Sequence, residues 1–217
     1  MLKKALAANV PVKKQNFNDF GGKIVLFDGV LDWFTRMDNY AKTKGVKLEH
    51  YIISSGLREM IDGTEIAKKF KKIYASGFMY DHNGVANWPA LAVNYTTKTQ
   101  YLFRINKGCL DEEDNSRINQ YKPDEERPMP FSHMVFIGDG ETDVPCMRLV
   151  KSQGGHSIAV YKSSKKGAKT KANQMVADGR ATLAAITDYT ENSTLDIAVK
   201  LMIDKVVAQS KIKRLEK

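Results

Sequence analysis

Apolar and polar residues follow two alternating rhythms along this chain. Across residues 31–44 the apolar positions are Leu31, Phe34, Met37, Tyr40 and Ala41. That three-and-four spacing predicts an amphipathic helix, and Gly45 follows where a helix-ending glycine belongs. Tyr51-Ile52-Ile53 is a short unbroken apolar run, the mark of a strand buried on both faces. A second helix is expected over 61–71 and a second strand over 72–75. Phe78-Met79-Tyr80 and Val85-Ala86-Asn87-Trp88 flank Asp81-His82-Asn83-Gly84, a hairpin signal whose turn residues tolerate positive φ. Thr97 stands as N-cap to a helix over 98–106, closed by Gly108. Residues 110–130 are polar and proline-bearing, so they read as a surface excursion. Met134-Val135-Phe136-Ile137 is a further buried strand. A helix over 144–151, a strand over 157–161 and an amphipathic helix over 195–217 complete the pattern. Strands alternating with helices predict an α/β fold: three layers, doubly wound, with a mostly parallel sheet and a β-hairpin excursion.

Three polar features fall at the ends of these elements. The Met134 strand runs into Gly138-Asp139-Gly140-Glu141-Thr142-Asp143. The glycines let the backbone turn sharply, and the carboxyl end of a strand is where open α/β sheets place ligands. Carboxylates held together there repel unless a cation lies between them. That makes Asp139 and Asp143 candidate ligands for a hard divalent ion, most simply Mg²⁺. Ser54, Ser55 and Gly56 follow the Tyr51 strand, and small hydroxyls with free N–H groups at a strand-to-helix junction suit phosphate. Lys98 opens its helix and supplies a positive charge for a phosphate or carboxylate.

Composition narrows the class. The 217 residues are 42% hydrophobic and 27% charged, which predicts a packed core rather than disorder. No apolar run approaches the ~20 residues of a membrane span, and residues 5–10 are too short for a secretory signal. Cys109 and Cys146 are the only cysteines. They make no disulfide framework and no zinc-ligand spacing, so a reducing cytoplasm is expected. The net charge of +9 gathers in Lys162, Lys165, Lys166, Lys169 and Lys171 and in the carboxyl-terminal tail. Only Tyr161 is interleaved with it, whereas a nucleic-acid surface mixes aromatics with its charge. It reads as a solvated face, and no nucleic-acid or membrane partner is expected.

The order of the three polar features resembles the haloacid dehalogenase superfamily of phosphohydrolases. In that family an apolar strand ends in Ser or Thr, a Lys follows later, and an apolar strand ends in GDxxxD. The corresponding residues are Ile52-Ile53-Ser54, Lys98, and Gly138-Asp139 with Asp143. The resemblance covers nearly the whole chain and is strongest at Glu49 to Leu57, Trp88 to Gly108 and Gly138 to Pro145. It implies a Rossmann-like core and a Mg²⁺-dependent hydrolase of a small phosphorylated metabolite. By resemblance Ser54 hydrogen-bonds the phosphoryl group and Lys98 stabilises the phospho-intermediate and its nucleophile. Asp139 ligates Mg²⁺ directly, and Asp143 holds the metal or its waters.

The family's first motif is an apolar strand ending in DxD, whose first Asp attacks phosphorus and whose second is the general acid and base. Its only counterpart is Ile24-Val25-Leu26-Phe27-Asp28-Gly29-Val30, where Val30 replaces the second Asp. This stretch is expected to be the return from a helical cap into the core, with a degenerate nucleophile motif at Asp28 as the other reading. Residues 1–20 are then the remnant of a cap or a linker, and 21–217 the core. The flanking strands of the missing one would pair with each other, or borrow a strand, or the 24–27 run would fill the slot. As it stands the chain is expected to be inactive, leaving a truncated phosphohydrolase and a catalytically silent binding relative both open. A receiver-like phospho-acceptor domain fits less well, because there the acidic pair precedes the hydroxyl and the lysine.

Overall fold

The computed structural model describes residues 2–215, and the apolar runs become strands of two three-stranded sheets. In chain order the helices are α1 (Leu2–Ala7), α2 (Lys14–Gly21), α3 (Val30–Thr43), α4 (Arg58–Asp62), α5 (Lys98–Lys107), α6 (Asn115–Asn119), α7 (Val144–Ser152), α8 (Ala168–Ala177) and α9 (Thr194–Leu215). The strands are β1 (Tyr51–Leu57), β2 (Lys72–Tyr80), β3 (Ala86–Leu91), β4 (Val135–Gly138), β5 (His156–Tyr161) and β6 (Leu183–Ile186). The class is α/β, as the alternating pattern predicts. The chain divides into two units. One holds the residues up to Leu26 with Glu49–Asn94, the other Phe27–Leu48 with the residues from Tyr95 onward.

In the first unit β1 pairs parallel with β2, and β2 pairs antiparallel with β3. The hairpin forms where the sequence places it. Gly84 takes a φ of 72°, and the Asp81 carboxylate accepts hydrogen bonds from the N–H groups of Asn83 and Val85. Beneath the sheet, Phe17 stacks on Phe78 with ring centroids 5.9 Å apart, and α2 packs on α4. The helix expected over 61–71 does not form. In its place α4 ends at Asp62, and a 3-10 turn covers Ala67–Lys69. The cause is Gly63, which must stay bare because a Cβ there would lie 2.1 Å from the Asn18 carbonyl oxygen. A glycine inside the window also weakens the helix itself.

In the second unit β4, β5 and β6 are all parallel, in that order. One layer of helix packs there, with Met147 of α7 and Ala172 and Met175 of α8 buried against Ala159 of β5. Large apolar groups buried this way contribute about 1.5–3 kcal/mol each. Elsewhere in this unit α3 packs against α9, where the Tyr40 hydroxyl donates to Asp204 across 2.7 Å. Thr97 stands at the N-cap of α5 but does not make the capping bond with its side chain.

Among the elements the sequence does not announce, α8 and β6 matter for the site. The lysine run before α8 reads as solvated chain, and Leu183-Ala184-Ala185-Ile186 is too short and too rich in alanine to signal a strand. The 24–27 run fills no strand slot. It has no regular structure, and Val25 is 94% exposed. Asp28 follows in a turn that leads through Gly29 into α3. The flanking strands do not pair either, since β1 and β4 belong to different sheets. The last helix matches its expected course as far as Leu215, and the final two residues of the expected 195–217 span lie outside the described residues. No described helix is long and apolar enough to cross a membrane.

Candidate metal and phosphate site

β4 ends at Gly138, and the next residues set the geometry of the site. Gly140 and Asp143 close a tight turn, with the Asp143 N–H donating to the Gly140 carbonyl at 3.0 Å. The Gly140 N–H returns a bond to Asp143 Oδ2 at 3.2 Å. Asp143 is buried at the head of α7, and Pro145 just after it fits the first turn, where no N–H is needed. Lys98, buried in the first turn of α5, donates from Nζ to Asp143 Oδ1 at 2.6 Å. The two side chains are only 6% and 10% exposed, so each charge depends on the other for compensation. Thus Lys98 and Asp143, 45 residues apart in the chain, meet as a buried ion pair at the carboxyl end of β4.

Asp139 differs from both. It is exposed at the tip of the same strand, and its carboxylate makes no hydrogen bond or ion pair with another described residue. The pair read from the sequence as one metal-binding unit therefore separates into an open carboxylate and a carboxylate already held by a lysine and a backbone N–H. Cys146, one turn into α7, is fully buried. Burial and the charge of Asp143 push its thiol up to about 12, which keeps it protonated and unreactive.

Ser54, Ser55 and Gly56 lie in the first unit, within the last half of β1 rather than after it. The strand runs on to Leu57, with a register shift against β2 between Ser54 and Leu57. Ser54 Oγ accepts the Gly56 N–H at 3.0 Å, and the Ser55 carbonyl accepts from Ser76 Oγ at 3.2 Å. The N–H of Gly56 is thus already engaged. The helix that follows, α4, has only five residues, so the expected helix-terminus contribution to phosphate binding is small.

The sequence reading missed the loop after β6. Parallel strands end on one edge, so this loop and Asp139 share the carboxyl edge of the β4–β5–β6 sheet. Tyr189 lies in it, and its phenol is pushed up by burial and then by the negative charge of Asp139. Without a predicted β6 there was no strand end to draw attention to Tyr189.

Comparison with known proteins bears on the family of the chain. The chain is similar to an uncharacterized protein of Borreliella burgdorferi, 27% identical over 197 residues. That match covers 82% of this chain and 66% of the relative, so the chain spans just under two thirds of the relative's length. Residues 4–148, more than half of the chain, match the model of the haloacid dehalogenase-like hydrolases. With the GDxxxD strand end, the buried lysine and the α/β architecture all in place, the chain belongs to the haloacid dehalogenase-like hydrolase family.

Proposed function

We propose that this chain carries the Mg²⁺ and phosphoryl-binding half of a phosphohydrolase for a small phosphorylated metabolite. The observation that carries the reading is the buried Lys98–Asp143 pair beside the open carboxylate of Asp139. The donor set fits Mg²⁺, which takes one or two carboxylates and keeps several waters. Asp139 would be the direct ligand. Asp143, with both oxygens already engaged, would hold the ion's waters and orient Lys98. No group of three or more His, Cys, Asp or Glu side chains suited to a metal occurs among the described residues, so water would have to supply most of the ion's ligands. When bound, the ion would supply a Lewis acid for phosphoryl oxygens. Lys98 would keep a fixed positive charge at the strand end, close to where phosphoryl charge develops. For Ser54, with Ser55 and Gly56, the phosphate-binding role rests on the family motif alone. The two buried free cysteines suit a reducing cytoplasm.

A second reading, ligand binding without turnover, is favoured by the Asp28 segment. Asp28 sits in a turn rather than at a strand end, and the residue two positions on is the buried Val30. No acid–base partner stands there.

Calorimetric titration with Mg²⁺ tests the metal reading. The wild type is expected to bind weakly and Asp139→Ala to lose that binding. Equal binding by the two would remove the site.

A further inference from the structure

The last helix carries a row of side chains that the core does not take up. Within α9, Leu195, Val199, Met202 and Ile203 are buried, whereas Ile197 and Leu201 stay 47% and 62% exposed. Residues four apart lie one above the other on a helix, so Ile197, Leu201 and Lys205 form a single stripe. The stripe is one wall of a groove of about 440 Å³, with Ala198 and Met202 beside it. The other wall is the amino end of the second sheet, where Thr182 and Leu183 lead into β6 and His156 opens β5. Asp139 follows the carboxyl end of β4 in that parallel sheet, so the groove is separate from the metal site.

The groove is aliphatic except at one end. The Thr182 hydroxyl is already engaged, accepting the Ser157 N–H at 3.0 Å. No lining residue is acidic. Lys205 forms no ion pair among the described residues, and its Nζ has only the ring Nε2 of His156 beside it, at 3.2 Å. A ring nitrogen that accepts from the ammonium does not balance its charge. Apolar walls with one unbalanced cation at the end suit a ligand with an aliphatic body and a single anionic head. A second copy of the chain suits the groove less. Two antiparallel α9 helices crossing at Leu201 would set each Lys205 against an Ile197, and no carboxylate would reach it.

We propose that the groove between α9 and the amino ends of β5 and β6 binds a linear aliphatic carboxylate, its chain along Ile197, Leu201 and Leu183 and its head at Lys205. The inference does not depend on the metal reading. Removal of the chain from water drives binding, and the head group fixes which way round the ligand lies.

The test follows the methyl resonances of Leu183, Ile197, Leu201 and Met202 in the full chain while hexanoate, octanoate and decanoate are added below their micelle concentrations. All four residues should shift, and affinity should climb about two- to fourfold per added methylene, the upper figure being that for complete burial. Lys205→Met should weaken octanoate by roughly two- to fivefold, as losing an exposed ion pair does, and leave 1-octanol unchanged. Leu201→Glu should abolish binding of both. Melting curves check the variants. If Leu201→Glu does not fold, the wild-type chain-length series and Lys205→Met decide. Unmoved methyls, affinities that do not climb with chain length, or a Lys205→Met variant that binds octanoate as the wild type does would each overturn the proposal. So would a dimer in sedimentation that Leu201→Glu dissociates, because the groove would then be an interface between copies.

Discussion

Gly138 and Asp143 share one small space: a Cβ built on Gly138 would lie 2.6 Å from Asp143 Oδ2 and 2.8 Å from Asp143 Cγ. The glycine that ends β4 is therefore as much a seat for the carboxylate as a turn residue. Gly138→Ala should push Asp143 away from Lys98 and destabilise the fold by about 1–3 kcal/mol, as overpacking does. Urea unfolding measures this, and an unchanged midpoint would mean the carboxylate moves aside freely.

Removing Lys98 tests the buried pair directly. Lys98→Met leaves the Asp143 charge buried without its partner and should destabilise the protein by about 3–5 kcal/mol. The double variant Lys98→Met, Asp143→Leu should recover much of that loss, because two apolar groups can replace a buried pair. Denaturant midpoints of the two variants decide it. A double variant weaker than the single one would show that packing at the head of α7 needs Asp143 for more than charge.

Acid should weaken the fold before any carboxylate titrates. Burial holds His156 below the usual imidazole range, aided by the positive charge of Lys205. The unfolded chain takes up a proton near pH 6.5 that the folded chain resists. Stability is thus full above that pH and falls as pH drops from about 7 towards 5. Melting temperatures across this window should show the fall, and His156→Gln should flatten it. A wild-type curve already flat there would contradict the assignment.

Turnover is expected to be trace. Lys98 and Asp139 can gather charge, but no described residue is placed as both nucleophile and acid–base group, and general acid–base help alone is worth ~10²–10⁴-fold. Hydrolysis of a generic phosphomonoester with Mg²⁺ should stay near background, and Asp28→Asn should not change it. Brisk hydrolysis abolished by Asp28→Asn would make Asp28 the nucleophile, and its turn could then no longer be read as a mere lead into α3.

The parts legible in the sequence were those set by unbroken patterns. The apolar run into Gly138-Asp139 gave β4 and its polar end, the heptad-like spacing gave α3, and Asn83-Gly84 gave the hairpin. Lys98 was found by its place in the motif order, although its burial and its bond to Asp143 depend on how α5 meets α7, which spacing does not encode. The 61–71 helix failed because backbone contact at Gly63 overrode a local pattern. Tyr189 was out of reach because the strand that presents it is four residues long and half alanine. The division into two sheets was also hidden, since sequence shows which runs are strands and not which strands pair.

That division leaves β4 with a ladder on one side only among the described residues, alongside β5. The other edge strands differ in their protection: β3 carries Pro89, which has no N–H to offer, whereas Val135-Phe136-Ile137-Gly138 has no such residue. Alternate amides of β4 therefore lack a strand acceptor. In heavy water they should exchange early, while their neighbours bonded to β5 stay protected. The residues that present Asp139 would then show an every-other-residue pattern of exchange, and its fast half would slow if another strand came to lie against that edge.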